Sequence, residues 1–462
     1  MNFKKIVEDN KEVMLKTLKE LLQIRSVLDV DQMTKETPFG PGIDKALRYM
    51  LDLGKKDGFE VVNDEGFAGH IGYGKNEKDI VGILCHLDVV PEGNNWTYPP
   101  YEGVIKDGKI YARGAIDDKG PTVAAYYALK FIKDANIKLK KEIRLILGTD
   151  EETGWRGVSH YFSKYPMPGI GFSPDATFPL VYGEKGRMSY DLSLKHLECC
   201  DIQNDIIVSM NGGERYNVVL DHVETLAKVD LSKEFLEYVQ NNNLKGDVVK
   251  DGELYRYILE GVAAHAMEPE KGVNAGTYMC DFFKNYTKNG LIKYVAEMHH
   301  KAHNMEKHNL DYCDYEMGPI TCNIGIIDIT KKSSRVTLDL RYPTRYDLEK
   351  FNRVINEIFN KYGIIVTNST NKTPHYVSPD DPLVTKLYEA YVKHSNDTVN
   401  KPMTIGGGTY ASMMPKAVAY GVEMPGEEVL AHQRNEYLSL DVFFMSVLIY
   451  IDAIIALGEI DA

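Results

Sequence analysis

The sequence predicts an α/β fold with a mixed, largely parallel sheet, interrupted along the chain by an α+β domain. Residues 79–85 and 142–148 are short apolar runs of the kind that form strands buried on both faces. Residues 121–133 between them have helical apolar spacing, with Pro121 in the first turn. A strand, a helix and a strand in this order favour a parallel layer. From about residue 185 the pattern changes to alternation, which indicates antiparallel strands.

The length of the chain and this change of pattern predict two domains. At 462 residues the chain is longer than one compact domain of ordinary size. We predict a first domain made of residues 1–184 and 378–462, and a second domain, residues 185–377, inserted between them. Apolar positions at helical spacing predict helices over residues 4–24 and 42–56 of the first domain.

Two segments carry the prediction of antiparallel strands in the inserted domain. Residues 187–192 and 335–341 each alternate between apolar and polar side chains. This period of two is typical of strands with one buried face. We therefore expect these two segments to lie in one sheet, with helices between them in the chain.

Charge and cysteine content exclude several classes of protein. The net charge of -13 repels nucleic acid and anionic membranes, so neither is expected as a partner. The amino-terminal segment is charged throughout, and no stretch is an uninterrupted apolar run of membrane-spanning length. The cysteines show no disulfide framework, which favours a reduced, cytoplasmic location. They are Cys85, Cys199, Cys200, Cys280, Cys313 and Cys322.

The first two candidate site motifs follow the first predicted strand. His86 and Asp88 come directly after residues 79–85, and two residues apart on an extended chain they face the same way. Asp117 and Asp118 lie in a glycine-flanked turn before the predicted helix. One of them is explained by helix capping, but the pair is not. Ligand sites in open α/β sheets form beyond the carboxyl ends of strands, where these residues are expected.

Three further motifs add carboxylates and a second imidazole. Asp150, Glu151 and Glu152 are consecutive after the strand 142–148, and such carboxylates repel one another unless solvent or cations stabilise them. Asp175 follows a predicted strand over 169–172, and His432 lies near the carboxyl terminus. Imidazole with carboxylate suits Zn²⁺, Mn²⁺ or Co²⁺. The sequence therefore predicts a metal site.

Together these motifs resemble the M20 metallopeptidase family over essentially the whole chain, in order and in separation. The chain is most similar to the PepV-type bacterial dipeptidase branch, relatives of carnosinase. The motifs that carry the resemblance are His86-Leu87-Asp88, Gly114-Ala115-Ile116-Asp117-Asp118-Lys119-Gly120, Asp150-Glu151-Glu152 and His432. The resemblance implies a catalytic domain with an inserted lid domain.

The resemblance also implies a role for each residue of the metal site. Asp117 would bridge two metal ions, although the residues themselves do not distinguish Asp117 from Asp118. Glu151 would be the general base, and Asp88 would orient His86 from outside the ligand set. His86 and Asp175 would complete the protein ligands of one metal, and Glu152 and His432 would complete those of the other.

The same resemblance assigns substrate contacts to the inserted domain. His265 would donate to the carbonyl oxygen as it becomes an oxyanion, and Asn217 and Arg341 would bind the substrate. In the 378–462 segment of the first domain, Gly406, Gly407 and Gly408 offer backbone N–H groups to the substrate carboxylate. The alternatives are that His265 is an ordinary polar core residue and that Arg341 forms a surface ion pair on a strand.

Two other patterns are not expected to be functional. His299, His300, His303 and His308 are close in sequence but have no evident acidic partner, so we interpret them as a solvated helix face. The triple glycine at 406–408 lacks the Lys-Ser/Thr of a phosphate-binding loop, so nucleotide binding is not predicted.

The expectation from the sequence is a monomeric cytoplasmic dipeptidase that uses two Zn²⁺ or Mn²⁺ ions. It would hydrolyse short unblocked peptides by attack of a metal-bridging hydroxide, with Glu151 as base. Two alternatives remain open. One is an N-acyl amino acid deacylase or carboxypeptidase of the same fold, and the other is a peptide-binding homologue without catalysis.

Overall fold

The computed structural model describes residues 1–76, 78–196 and 200–460, except for the side chains of residues 200 and 201. The apolar runs and alternating segments of the sequence form its helices and strands. The helices are α1 (Phe3–Asp9), α2 (Lys11–Leu22), α3 (Pro41–Lys56), α4 (Lys119–Asp134), α5 (Arg156–Lys164), α6 (Cys200–Gln203), α7 (Ser232–Asn241), α8 (Ala275–Phe283), α9 (Gly290–Met298), α10 (Leu348–Tyr362), α11 (Pro382–Ser395) and α12 (Leu440–Glu459).

The strands in the first half of the chain are β1 (Glu60–Asp64), β2 (Ala68–Tyr73), β3 (Ile80–His86), β4 (Val104–Lys106), β5 (Lys109–Tyr111), β6 (Glu142–Gly148), β7 (Ile170–Ser173), β8 (Ala176–Thr177), β9 (Val181–Glu184), β10 (Gly186–Leu194), β11 (Ile207–Gly212) and β12 (His222–Ala227). Those in the second half are β13 (Lys245–Asp251), β14 (Leu254–Glu260), β15 (Cys313–Asp314), β16 (Gly318–Pro319), β17 (Thr321–Thr330), β18 (Ser334–Tyr342), β19 (Ile364–Lys372), β20 (His375–Tyr376), β21 (Met403–Ile405), β22 (Ala417–Ala419), β23 (Val422–Glu423) and β24 (Tyr437–Ser439).

The chain folds into two compact units. The first unit consists of Met1–Gly183, Tyr376–Met403 and Gly408–Ala462. The second unit consists of Glu184–His375 and Thr404–Gly407. No sequence pattern had indicated that the short segment 404–407 groups with the second unit.

The first unit contains a mixed sheet in the order β1-β2-β6-β3-β7-β22-β9-β20, with β21 beside β9. Parallel pairing joins β6, β3, β7 and β22 at the centre, whereas β1–β2, β2–β6 and β22–β9 are antiparallel. The predicted mixed α/β sheet is confirmed, and its parallel part is the centre. β3 and β6 are buried along their whole length, which explains their apolar composition.

Helix α12 is the most apolar helix of the first unit. By length and composition it could cross a membrane, with a mean hydropathy of 2.2 over its most apolar window. However, 61% of that window is buried inside the protein. The helix belongs to the same hydrophobic core as α4, with Ile454 and Leu129 both fully buried. Its apolar character is therefore that of a core helix.

Most predicted elements are confirmed within one or two residues, with one exception near the amino terminus. The helix expected over residues 4–24 is two helices, because α1 ends before Asn10 and α2 begins after it. The Asn10 side chain donates to the carbonyl oxygen of Ile6 at 2.8 Å. Such local bonding of asparagine side chains to the backbone competes with helix continuation.

The second unit contains an antiparallel sheet in the order β13-β14-β12-β11-β17-β18-β10-β19. β10 pairs with β18, with Arg187 opposite Arg341, which confirms the strands predicted over 187–192 and 335–341. Helices α8, α9 and α10 contribute Met279, Val295 and Phe359 to the hydrophobic core of this unit.

The prediction of a solvated histidine face is wrong. His299 and His308 are 3% and 1% exposed, because α9 ends at Met298 and the following chain turns into the unit. Tyr294 gives both buried rings a hydrogen-bond partner, since its hydroxyl lies 2.9 Å from His299 Nε2 and 3.3 Å from His308 Nε2. His300 is 9% exposed and His303 is half-buried.

The cysteines that the structure describes are not bonded to one another. Cys85, Cys280 and Cys322 are buried free thiols, and Cys313 is an exposed one. Cys199 lies outside the described residues, and the side chain of Cys200 is not described.

The buried histidines make stability depend on pH. Burial lowers the pKa of His308 to about 4, so the folded protein keeps this ring neutral while the unfolded chain takes up a proton below about pH 6.5. The contribution of His308 to stability is therefore complete above pH 6.5 and is lost as the pH falls toward 4. At pH 5 the loss amounts to about 2 kcal/mol. Denaturant unfolding of the wild type at pH 7 and pH 5 measures the difference.

A His308→Gln variant should show a smaller loss of stability between these two pH values, whatever its stability at pH 7. The matched control is His222→Gln, at an exposed strand residue, which should keep the wild-type difference. Equal pH differences in wild type and His308→Gln would contradict the assignment.

Candidate metal centre

The ends of three of the four parallel strands carry several of the predicted site residues of the first unit. His86 is the last residue of β3, where it lies opposite Gly148 at the end of β6. Glu151 and Glu152 follow β6, and Asp175 follows β7. Because parallel neighbours end at one edge of the sheet, their following loops meet there.

Asp117 lies between the two histidines. Its Oδ1 is 2.9 Å from His86 Nε2, and its Oδ2 is 2.9 Å from His432 Nε2. His432 Nε2 is also 3.0 Å from Glu152 Oε2, and His86 Nε2 is 3.9 Å from Asp175 Oδ2. Residues from position 86 to position 432 thus converge on one carboxylate.

The side chains form two groups of three potential ligands. In each group the ligand atoms lie within 4.8 Å of one another. One group is His86, Glu151 and Asp175, and the other is Asp117, Glu152 and His432. Both groups combine one imidazole with two carboxylates. By distance alone, Glu151 could therefore also be a ligand.

Asp118 has a different environment from Asp117. Its Oδ2 accepts a hydrogen bond from the backbone N–H of His86 at 3.1 Å and lies 3.3 Å from the Thr122 hydroxyl. The residue is fully buried, and the peptide bond between Asp117 and Asp118 is cis. The ambiguity left by the sequence is thus reduced, because only Asp117 contacts both histidines.

Asp88 contacts His86 through its backbone more closely than through its carboxylate. Its backbone carbonyl oxygen is 2.9 Å from His86 Nδ1, whereas its carboxylate Oδ1 is 3.6 Å away. The carboxylate instead accepts hydrogen bonds from the backbone N–H groups of Glu151 and Glu152, at 3.1 and 3.0 Å. Asp88 therefore orients the ring through its backbone and holds the acidic turn through its side chain.

Electrostatics at this cluster favour bound cations. Burial and the charge of Asp117 raise the pKa of Asp175 to about 7, and burial raises the pKa of Glu151. His86 Nε2 is fully buried and has no hydrogen bond of acceptable geometry among the described residues. Divalent cations would offset the repulsion between carboxylates and ligate this nitrogen. The side chains therefore fit two divalent metal ions.

A buried ion pair supports the loop that carries Asp117. Glu436 Oε2 accepts from Arg113 Nη1 at 2.5 Å, and its Oε1 accepts from the backbone N–H of Ile116 at 2.9 Å. Burial raises the pKa of Glu436 to about 7, although Arg113 favours its charged form. The two residues pair across 323 positions, and nothing in the sequence indicates that they do.

In the second unit the structure brings His265 and Asn217 together. The Asn217 carbonyl oxygen accepts from the N–H of Ala266 at 3.0 Å, and Val218 and His265 form a β-bridge. His265 is solvent-exposed, so the alternative of a core histidine is wrong. Its Nδ1 accepts from the N–H of Met267 at 3.1 Å, which leaves the proton of the neutral ring on Nε2.

Arg341 is not a surface residue of its strand. It is 5% exposed, and its Nε donates to Asp339 Oδ1 at 2.6 Å. Its Nη1 donates to the carbonyl oxygen of Gly406 at 3.2 Å. The structure therefore brings Arg341 and Gly406 together. Gly407 belongs to the same unit, and Gly408 belongs to the first unit.

The ion pair of Arg113 and Glu436 gives a stability prediction. Glu436→Gln leaves the Arg113 charge buried without a partner, which should lower the free energy of unfolding by about 3 kcal/mol. Adding Arg113→Met removes that charge, so the double variant should lose less than the sum of the two single losses. Denaturant unfolding of the four proteins completes the cycle, and purely additive losses would contradict the pairing.

Comparison with known proteins shows the family to which the chain belongs. The profile of peptidase family M20/M25/M40 matches residues 82–456. A Staphylococcus haemolyticus protein named "Putative dipeptidase" is 39% identical over 467 aligned residues, 98% of this chain and 99% of that protein.

Two solved structures share the fold. The M20 family metallo-carboxypeptidase Sso-CP2 from Sulfolobus solfataricus has a TM-score of 0.58 at 18% identity, over 96% of this chain and 99% of that one. Human carnosine dipeptidase 1 has a TM-score of 0.57 at 14% identity, over 98% of each chain. With a family profile covering most of its length, this chain belongs to the M20 family of metallopeptidases.

Proposed function

We propose that this enzyme is a dipeptidase that binds two divalent metal ions and hydrolyses short peptides with free ends. The observation that carries the proposal is Asp117, whose two carboxylate oxygens each lie 2.9 Å from a different histidine. The 39% identity to the protein named "Putative dipeptidase" supports the substrate class.

The proposed ligands follow these contacts. His86 and Asp175 would hold one metal, Glu152 and His432 the other, and Asp117 both. Imidazole with carboxylate accepts Zn²⁺ and Mn²⁺, so we propose one of these two. When bound, the two cations would lower the pKa of a shared water and polarise the peptide carbonyl.

Glu151 is the proposed general base. Its Oε1 accepts a hydrogen bond from Trp155 Nε1 at 3.1 Å, which orients the carboxylate. Burial raises its pKa, so the carboxylate can take a proton from the attacking water. The same group then delivers that proton to the nitrogen of the leaving amine.

The second unit, together with Gly408 of the first unit, would supply the substrate contacts. The Nε2–H of His265 is the proposed donor to the carbonyl oxygen as negative charge develops on it. Arg341, Asn217 and the glycines Gly406, Gly407 and Gly408 would bind the remainder of the peptide, including its carboxylate. In this proposal the second unit is a substrate-binding lid domain.

The proposed location, oligomeric state and partners follow from the sequence and from this activity. We propose a cytoplasmic monomer whose partners are small peptides. Its acidic charge argues against nucleic acid and membrane surfaces as partners.

Replacement of Glu151 tests the assignment of the base. Glu151→Gln keeps the size of the side chain and removes its basicity, so kcat should fall at least about 100-fold while metal content stays at the wild-type level. Steady-state kinetics and elemental analysis of the purified enzyme give the two quantities. Two controls accompany it: Glu152→Gln should lose metal, and Glu427→Gln, at an exposed residue, should change neither. Metal loss in Glu151→Gln would instead make Glu151 a ligand.

A substrate panel tests the proposed specificity. Free dipeptides, the same dipeptides with an acetylated amino terminus, and longer peptides should be compared by kcat/KM. We expect free dipeptides to be hydrolysed best. Preference for the blocked peptides would identify a deacylase, and preference for the longer ones a carboxypeptidase. Binding of metal and peptide without release of amino acids would identify a non-catalytic homologue.

A further inference from the structure

Glu423 is a carboxylate beside the metal centre to which the proposed function assigns no role. It is the last residue of β23, which pairs in parallel with β8 and places Glu423 opposite Thr177. The proposed ligand Asp175 lies two residues before Thr177. Side chains two apart on an extended chain project to the same side, as do paired residues of neighbouring strands. Glu423 therefore projects to the same side as the Asp175 carboxylate.

Three hydrogen bonds fix the pairing of β23 with β8. The backbone N–H of Ala176 donates to the carbonyl oxygen of Gly421 at 2.9 Å, and that of Phe178 donates to the carbonyl oxygen of Glu423 at 2.7 Å. The Thr177 hydroxyl donates to the same oxygen of Glu423 at 3.1 Å. The backbone of Glu423 is thus held in register with the segment that carries Asp175.

The charges of the metal centre act on Glu423, which agrees with this placement. Burial raises the pKa of Glu423 to about 7, and the charge of Asp117 adds to the rise, whereas His432 opposes it. Burial and then the charge of Asp117 raise the pKa of Asp175, and Glu423 adds a smaller contribution. Glu423 nevertheless belongs to neither group of three potential ligands. It therefore lies beside the ligand groups rather than within them.

The carboxylate of Glu423 is open to a ligand. It forms no hydrogen bond or ion pair with any residue that the structure describes. The residue is half-buried, and neither of its carboxylate oxygens is closed off from solvent. Glu436, by contrast, is fully buried and bound by Arg113. A half-buried carboxylate without a partner is suited to a positively charged group that arrives from solvent.

The amino-terminal residue of the peptide has no assigned contact in the proposed function. Arg341 and the three glycines are proposed for the carboxyl end of the substrate. The α-nitrogen of the amino-terminal residue lies roughly 2.5 Å from the scissile carbonyl carbon, so it stays close to the proposed metal ligands. A lysine side chain, in contrast, carries its ammonium group on a four-carbon stem. Its reach matches the place of Glu423 beside the ligand groups.

We propose that Glu423 is a specificity-determining residue that binds a cationic side chain on the amino-terminal residue of the peptide. The ammonium group of such a side chain donates to the Glu423 carboxylate while the α-amine stays beside the metal centre. The inference rests on the proposed dipeptidase function and names the preferred substrates of the same site. Dipeptides that begin with lysine are therefore the expected preferred class.

Hydrolysis of lysyl-alanine and norleucyl-alanine tests the proposal, because the two substrates differ only in the side-chain ammonium group. The wild type should show a kcat/KM about tenfold higher for lysyl-alanine, as expected for one hydrogen bond between charged groups. Glu423→Gln should bring the two values within about twofold of each other. Glu427→Gln, at an exposed residue four positions later, is the matched control and should keep the wild-type ratio.

Three results would overturn the assignment of Glu423. One is a ratio in Glu423→Gln equal to that of the wild type, which includes an equal fall for both substrates. Another is loss of metal in this variant by elemental analysis, which would make Glu423 a ligand. The third is failure of the wild type to prefer lysyl-alanine. If the wild type hydrolysed neither peptide, the proposed function itself would fail, whereas hydrolysis with an unchanged ratio would count only against Glu423.

A second pair of substrates tests the position of the contact, and a binding measurement tests it without turnover. Alanyl-lysine and alanyl-norleucine carry the same difference at the carboxyl-terminal residue, so Glu423→Gln should leave their ratio as in the wild type. A change in this pair instead of the first would overturn the proposal. Calorimetric titration of metal-loaded Glu151→Gln with lysyl-alanine and norleucyl-alanine should show tighter binding of the former, and adding Glu423→Gln should remove that difference. A difference that persists would overturn the proposal as well.

Discussion

Burying several carboxylates side by side is unfavourable unless positive charge lies among them. In the first unit, the buried carboxylates cluster around Asp117. Two histidines are the nearest such groups, each 2.9 Å from one of its oxygens. Glu151, Glu152 and Asp175 follow strands whose ends lie at one edge of the sheet. The parallel centre of the sheet is therefore what brings like charges together, and bound cations would make that arrangement favourable.

Supporting contacts keep the acidic groups in place while they repel one another. Asp88 accepts from two consecutive backbone N–H groups of the acidic turn. Glu436 does the same for the loop of Asp117 and is neutralised in part by Arg113. Both supports use backbone N–H groups as donors, so they fix the chain rather than only the side chains. Such outer contacts orient ligands and tune their basicity.

Most features that depend on neighbouring residues could be predicted from the sequence, whereas features that depend on contacts between distant residues could not. Strands β3 and β6 followed from local apolar composition, and the site motifs followed from their place after those strands. The break at Asn10 and the burial of His299 could not be predicted, because a helical apolar period says nothing about local side-chain bonds or about what covers a segment. The pair of Arg113 and Glu436 depends on how two distant loops pack together, which is not visible in one sequence.

The buried helix α12 has a consequence for how the protein is made. Helices α11 and α12 complete the core of the first unit, yet they are encoded after the whole of the 184–375 segment. A ribosome therefore releases that segment, with its own sheet and core, while α4 and the central strands still expose the apolar surface that α12 will cover. Because domains fold as units during translation, the intervening segment can finish folding first. The amino-terminal segment of the first unit must wait, with its apolar face uncovered, until α12 has emerged.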